Sequence, residues 1–309
     1  MGELIDGHWT VDPDFPSNKA GQFTRKQTQF HHPISREHPL FKPESGRYHL
    51  YASYACPWAH RVLIMHRLKS LQKHIDVSIV CPDMLDNGWS FATTHADTTG
   101  DMANGKKYLY EVYQQAQPNL STRVTVPVLW DKQEQTIVNN ESSQIIRIFN
   151  QAFDHITKNH DDYYPKRHQE KIDEWNELIY PNINNGVYAA GFAKQQGAYD
   201  QAIDQLFHHL DIVDQHLEQH TYLCGETLTE ADIRLIPTLL RFDPVYHTHF
   251  KCTVKRMIDY PGLTRYIKQC QSNPAISDTT NYAHIKRHYY YSHPHINPYR
   301  IIPKDPAAF

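Results

Sequence analysis

The segment Tyr54-Ala55-Cys56-Pro57-Trp58-Ala59-His60-Arg61 holds the residue best equipped for chemistry in this chain. Pro57 suits the first position of a helix, where its missing N–H costs nothing, so Cys56 is expected at the helix N-terminus with free backbone amides aimed at its sulfur. Such a site lowers a thiol pKa from about 8.5 into the range of roughly 3.5–7.5 and supplies a nucleophilic thiolate at neutral pH. Three residues on stands Ala59 and not a second cysteine. Cys56 therefore has no local resolving thiol, and the sulfur it pairs with must come from another molecule. The competing reading, an inert buried thiol, is the one assigned to Cys81, Cys224, Cys252 and Cys270.

Two further stretches could hold the owner of that outside sulfur. Thr125-Val126-Pro127-Val128 opens a strand. A proline there can be an edge device; alternatively, in this order of elements, a cis proline turns the preceding backbone outward and offers the N–H and C=O of Val126 to an extended peptide. Downstream, Asn140-Glu141-Ser142-Ser143 starts a helix. Its free amides and the Ser142 hydroxyl can take a carboxylate while Glu141 pairs with an ammonium group; the alternative is that Ser142 is a plain helix cap.

The elements that must position these residues follow from hydrophobic period. Residues 1–45 are polar and broken by prolines, and are expected to be an extended arm. Tyr48–Ala52 reads as a strand, Ala59–Leu71 as a helix and Ile75–Val80 as a strand. A polar insertion, 82–122, carries a possible helix over 106–117. A hairpin follows, with arms 126–130 and 136–138, then a helix over 142–153 with Ile145, Ile146, Phe149 and Phe153 facing inward. The order β-α-β-insert-β-β-α is that of a thioredoxin-like domain, assigned here to 46–157. From 158 to 309 the signals are helical: 172–180, 198–217, 229–242 and 263–270. Thr229 and Asp232 form a capping box at the start of the third of these helices. The Tyr-, His- and Pro-rich tail, 285–303, is expected to wrap the helical domain irregularly.

Composition closes off several function classes. The 309 residues carry a formal charge of −3 and 22 histidines. That charge gives no field suited to nucleic acid or an anionic membrane. No stretch approaches the roughly 18–20 apolar residues of a membrane helix and no signal peptide is evident, so a cytoplasmic protein is expected. Five scattered cysteines without a CxxC pair argue against a disulfide framework and a zinc ribbon. The histidine groups His31-His32, His208-His209 and His293-Pro294-His295 lack Cys or carboxylate partners in a metal-site frame, so no metal is expected.

Taken together, Cys56-Pro57-Trp58-Ala59, Asn87-Gly88-Trp89, Arg123 through Pro127, Asn140-Glu141-Ser142, Gly186-Val187-Tyr188 with Gly191-Phe192, Arg241 through Tyr246 and the tail from His293 to Pro303 resemble the glutathione transferases, and within them the xi class of glutathionyl-hydroquinone reductases. The resemblance runs over almost the whole chain. It implies that Cys56 is the nucleophile, that Trp89, Arg123, Val126, Glu141 and Ser142 form the glutathione site beside cis-Pro127, and that Tyr188, Tyr246 and Tyr289 line a pocket for aromatic quinol conjugates. Glutathione would be the co-substrate, and the chain a homodimer. Which of Tyr289, Tyr290 and Tyr291 enters the pocket stays open. So do two other functions: an omega-like thioltransferase or dehydroascorbate reductase, and a transferase-fold scaffold without turnover.

Overall fold

The computed structural model describes residues 2–11, 17–24 and 27–304. Residues 1, 12–16 and 25–26 of the expected arm lie outside them, as do residues 305–309, while the expected tail over 285–303 lies within them. The chain divides into two compact units. The first comprises Met1–Asp14, Lys26–Asp162 and Thr279–His284, and the second Phe15–Arg25, Tyr163–Asp278 and Ile285–Phe309. The break after Asp162 stands beside the expected boundary at 157, whereas the sharing of arm and tail between the units has no counterpart in the sequence pattern.

The first unit begins with a hairpin where only an extended arm was expected. Strands β1 (Gly2–Ile5) and β2 (His8–Val11) pair antiparallel across Asp6-Gly7. Both turn residues have positive φ, 48° and 79°. This is the type I′ geometry that Asp-Gly favours, because glycine adopts it without a Cβ clash. The central four-stranded sheet has the order β4-β3-β6-β7, made of β3 (Tyr48–Ala52), β4 (Asp76–Ile79), β6 (Val128–Asp131) and β7 (Thr136–Asn139). Strand β3 runs parallel to β4 and antiparallel to β6, which closes the hairpin with β7. All five β3 residues are buried, as a central strand covered on both faces requires.

Helix α1 (Pro57–Leu68) makes the crossover from β3 to β4. Helix α2 (Leu109–Ala116) occupies the insertion, and the two-residue strand β5 (Thr122–Arg123) pairs with β1. After β7, α3 (Ser142–Gln151) packs on α1, with Ile145, Ile146 and Phe149 fully buried; the short α4 (Asp154–Thr157) follows. The arm also pairs with the sheet, since His32 N–H donates to the Val138 carbonyl at 3.0 Å and Asn140 N–H to that of Phe30 at 3.1 Å. Residues 30–32 thereby cover the open edge of β7, which would otherwise present unpaired backbone groups.

The second unit is helical: α5 (Gln169–Ile179), α6 (Gly186–Gly191), α7 (Gln196–Gln219), α8 (Glu230–Leu240), α9 (His247–His249), α10 (Pro261–Gln271), α11 (Pro274–Ser277) and most of α12 (Tyr282–Ser292). The capping box at α8 is present, with Thr229 N–H donating to the Asp232 carboxylate at 2.8 Å. Helix α12 corrects the expectation of an irregular tail over 285–292, whereas 293–303 form no helix or strand. Its apolar residues mark no single stripe, because His288, Tyr289 and Tyr290 are all buried along with Ile285. Two wide turns interrupt the bundle: Asn185 N–H reaches the Tyr180 carbonyl (2.9 Å) and Tyr246 N–H that of Arg241 (3.1 Å), each five residues back. Proline lies within both, Pro181 and Pro244. Turns of this kind recur at functional sites.

Candidate active site

Cys56 is the N-cap of α1, extended at φ −80°, ψ 122°, with Pro57 directly behind it. Its carbonyl accepts the His60 N–H at 2.9 Å, so the helix starts at once and Cys56 stands at its positive end. The thiol is half-buried, while the other four cysteines are buried. Burial pushes up the thiols of Cys224, Cys252 and Cys270, which leaves them poor nucleophiles. The Val126–Pro127 peptide bond is cis. The Cys56 thiol donates to the Val126 carbonyl at 3.6 Å, which brings the cysteine and the proline loop together.

At the head of α3 the capping residue is Glu141, not Ser142. The Glu141 carboxylate accepts from Ser143 N–H at 3.1 Å and from its hydroxyl at 3.0 Å, and the Thr28 hydroxyl donates to the other oxygen at 3.3 Å. Ser142 stands inside the first turn, 2% exposed, its hydroxyl 3.5 Å from the same carboxylate. The plain-cap alternative for Ser142 is therefore corrected, since a longer acidic side chain one residue earlier reaches the free amide. Arg123 lies on β5 opposite Glu3 of β1, with Nε 3.6 Å from the Glu3 carboxylate. Trp89 is fixed through its carbonyl, which accepts Leu109 N–H at 2.9 Å, and its ring is almost fully covered.

One residue that sequence reasoning missed ties these pieces together. The buried Tyr113 hydroxyl donates to the Thr125 carbonyl at 2.8 Å and accepts from Asn140 Nδ2 at 3.1 Å. It thus pins the residue before Val126 to the residue before Glu141. An aromatic in a polar insertion carries no period that would single it out; its sole signal was a place on the possible helix over 106–117.

In the second unit Tyr188, Tyr246 and Tyr289 form one hydroxyl cluster. Tyr289 is hydrogen-bonded to the Tyr188 hydroxyl and, at 3.1 Å, to that of Tyr246. Burial pushes the Tyr289 phenol well up, the neighbouring phenols add to this, and the Arg241 guanidinium opposes it. Of the three adjacent tail tyrosines, Tyr289 is the one whose hydroxyl joins this cluster. The Tyr290 hydroxyl donates instead to the Pro244 carbonyl at 3.2 Å, and the Tyr291 ring lies 3.5 Å under the Arg287 guanidinium. Phe250 packs against all three cluster rings, at centroid distances of 5.3 to 5.6 Å. Its place depends on Gly191, where a Cβ would come within 2.3 Å of the Phe250 ring.

Comparison with known proteins agrees with the fold. Residues 55–152 match the glutathione S-transferase N-terminal domain and residues 196–269 its C-terminal domain. The fold and both matches define a two-domain glutathione S-transferase. The glutathionyl-hydroquinone reductase PcpF of Sphingobium chlorophenolicum is 48% identical over 99% of this chain and 97% of its own length, and YqjG of Escherichia coli, also named a glutathionyl-hydroquinone reductase, is 49% identical over 99% and 95%. The crystal structure of glutathione S-transferase Xi from Phanerochaete chrysosporium superposes with a TM-score of 0.93 at 47% identity, covering 96% of this chain and 98% of that one. Glutathione-bound YqjG superposes at 0.91 and 47% identity, covering 100% and 96%. The chain belongs to the xi class of the glutathione S-transferase family.

Proposed function

We propose that this protein reduces S-glutathionyl-hydroquinones with glutathione, releasing the hydroquinone and oxidised glutathione. The observation that carries the reading is Cys56: a half-buried thiol at a helix N-terminus beside the Val126 carbonyl, with alanine at the resolving position. The named activity of the two bacterial relatives supports it. The Cys56 thiolate attacks the glutathionyl sulfur, an S–S bond forms, and the bond from sulfur to the aromatic carbon breaks with its electron pair going to carbon. A proton delivered to that carbon completes the hydroquinone. A second glutathione thiolate then attacks the mixed disulfide, forming oxidised glutathione and restoring the Cys56 thiolate.

Trp89, Arg123, Val126, Glu141 and Ser142 are the proposed glutathione contacts. Arg123 suits the glycyl carboxylate, the Val126 backbone the cysteinyl peptide, and the Glu141 carboxylate with the amides of α3 the zwitterionic head. Tyr188, Tyr246 and Tyr289 are the proposed donors to the quinol. Residues 46–157 would form the glutathione-binding domain and 158–309 the substrate domain. A cytoplasmic homodimer without nucleic acid or membrane partner, and with no metal taking part in the reaction, completes the proposal; among the described residues no helix is long and apolar enough to cross a membrane.

The test is a comparison of turnover on a glutathionyl-hydroquinone and on hydroxyethyl disulfide. The quinol conjugate should be the better substrate. Faster turnover of the disulfide would favour the omega-like reading, and glutathione binding without turnover of either would favour the scaffold.

A further inference from the structure

Away from these residues, three donors of different chemistry converge just past the end of β4. The Cys81 sulfur, the Asp83 carboxylate and the His95 imidazole all lie within 4.8 Å of one another. His95 Nε2 is 3.1 Å from Asp83 Oδ2. The sulfur belongs to a residue only 2% exposed, whereas the side chains of Asp83 and His95 keep 18% and 28% exposure. The trio therefore has a dry sulfur side and a wet oxygen and nitrogen side.

The backbone holds these positions from several directions. Cys81 N–H donates to the Ser90 carbonyl at 2.8 Å, and the Thr98 hydroxyl donates to the His95 carbonyl at 2.6 Å. The next carbonyl, Ala96, takes His284 Nε2 at 2.6 Å, which leaves the buried Nδ1 of that ring as an acceptor without a partner among the described residues. Among the described residues the sulfur itself has only the Thr94 hydroxyl, at 3.8 Å. It is not committed to any strong hydrogen bond.

We propose that Cys81, Asp83 and His95 bind one zinc ion, with water as the fourth ligand. A thiolate and a carboxylate balance the two positive charges, and neutral imidazole supplies the third ligand. Mixed sulfur, nitrogen and oxygen donors suit zinc, while magnesium and calcium demand oxygen alone. Tetrahedral bonds of about 2.0–2.3 Å put neighbouring donors roughly 3.3–3.6 Å apart. The nitrogen–oxygen edge is already close to that, and the sulfur edges need a contraction of roughly 1.2 Å at most. Binding replaces the Cys81 S–H bond with S–Zn and releases one proton to solvent. The absence of metal expected from sequence rested on the histidine-rich groups, none of which contributes a ligand here.

Anaerobic titration of the whole protein with cobalt(II), the spectroscopic stand-in for zinc, tests the proposal. One equivalent should produce a thiolate-to-cobalt absorption band in the wild type and equally in Cys56→Ser, and zinc should abolish it. Cys81→Ser should lose the band, and His95→Ala should bind at least about 10-fold more weakly. If Cys81→Ser fails to fold, the partly exposed positions decide: Asp83→Asn and His95→Ala should each weaken binding while keeping the circular dichroism of the wild type. A wild type without the band, a band that disappears in Cys56→Ser, or unchanged affinity in both Asp83→Asn and His95→Ala would overturn the site.

Discussion

The thiol of Cys56 donates to the carbonyl oxygen of Val126, 3.6 Å away across the cis peptide bond before Pro127. A thiolate has no proton to give. Ionisation of Cys56 therefore frees the Val126 carbonyl for the N–H of an extended peptide while creating the nucleophile beside it. On the proposed docking of glutathione at Val126, charging the sulfur and binding the co-substrate are coupled through one oxygen atom.

Exposure to oxidised glutathione should attach a single glutathione, at Cys56, removable with excess thiol. Cys252 and Cys270 are buried and their thiols are pushed up, so neither competes as a thiolate. Peptide mass spectrometry reads the position. A disulfide from Cys56 to another cysteine of the chain would contradict the mechanism.

The tyrosine cluster should matter for carbon and not for sulfur. A thiolate leaves a disulfide unaided, whereas a carbon leaving group must be stabilised and protonated as it departs. Tyr188→Phe, Tyr246→Phe and Tyr289→Phe keep the rings against Phe250 and remove one hydroxyl each. Each should slow glutathionyl-hydroquinone turnover by about ten- to a thousand-fold, with hydroxyethyl disulfide reduction nearly unchanged. Equal slowing of both reactions would place the tyrosines outside the quinol step.

Two buried histidines make the first unit acid-sensitive. Burial lowers His49 and His66 from 6.5 to about 4, and each ring is already engaged, with the Ser78 hydroxyl and the Ile75 carbonyl respectively. The unfolded chain takes up these protons near pH 6.5 and the folded chain only near pH 4, so the unfolded state binds more protons between those values. Stability is complete above about pH 6.5 and falls on acidification toward 4, by on the order of 3 kcal/mol for each ring. Urea midpoints from pH 7 to 5 should decline in the wild type and decline less in His66→Gln. Equal slopes in both proteins would remove His66 from the explanation.

Much of the site was legible because it depends on local rules. Cys-Pro at a strand-to-helix junction defines an N-cap whatever surrounds it, and β3, α1 and α3 followed from apolar period alone. What sequence did not reveal depends on contacts between distant segments. The Asp6-Gly7 turn was in plain sight, yet β1 becomes a strand because Thr122 and Arg123, far along the chain, pair with it, and the Ser121 hydroxyl accepts the Asp6 N–H beside them. Helix α12 hid behind polar composition, since tyrosine and histidine bury their rings and satisfy their hydroxyls and nitrogens only against particular partners. Glu141 displaced Ser142 as the cap through side-chain reach, which spacing does not encode. Cys81, Asp83 and His95 meet because a loop folds back on itself, with no motif to announce it.

The central claim is that Cys56 is the reacting group. The most direct measurement is glutathionyl-hydroquinone reductase activity of Cys56→Ala beside the wild type, with glutathione binding followed in parallel by calorimetry. The expected result is a loss of several powers of ten in turnover with binding and fold retained, because the lost side chain is a nucleophile at a half-buried position and not a core filler. Retention of more than about a tenth of wild-type turnover by Cys56→Ala would contradict it.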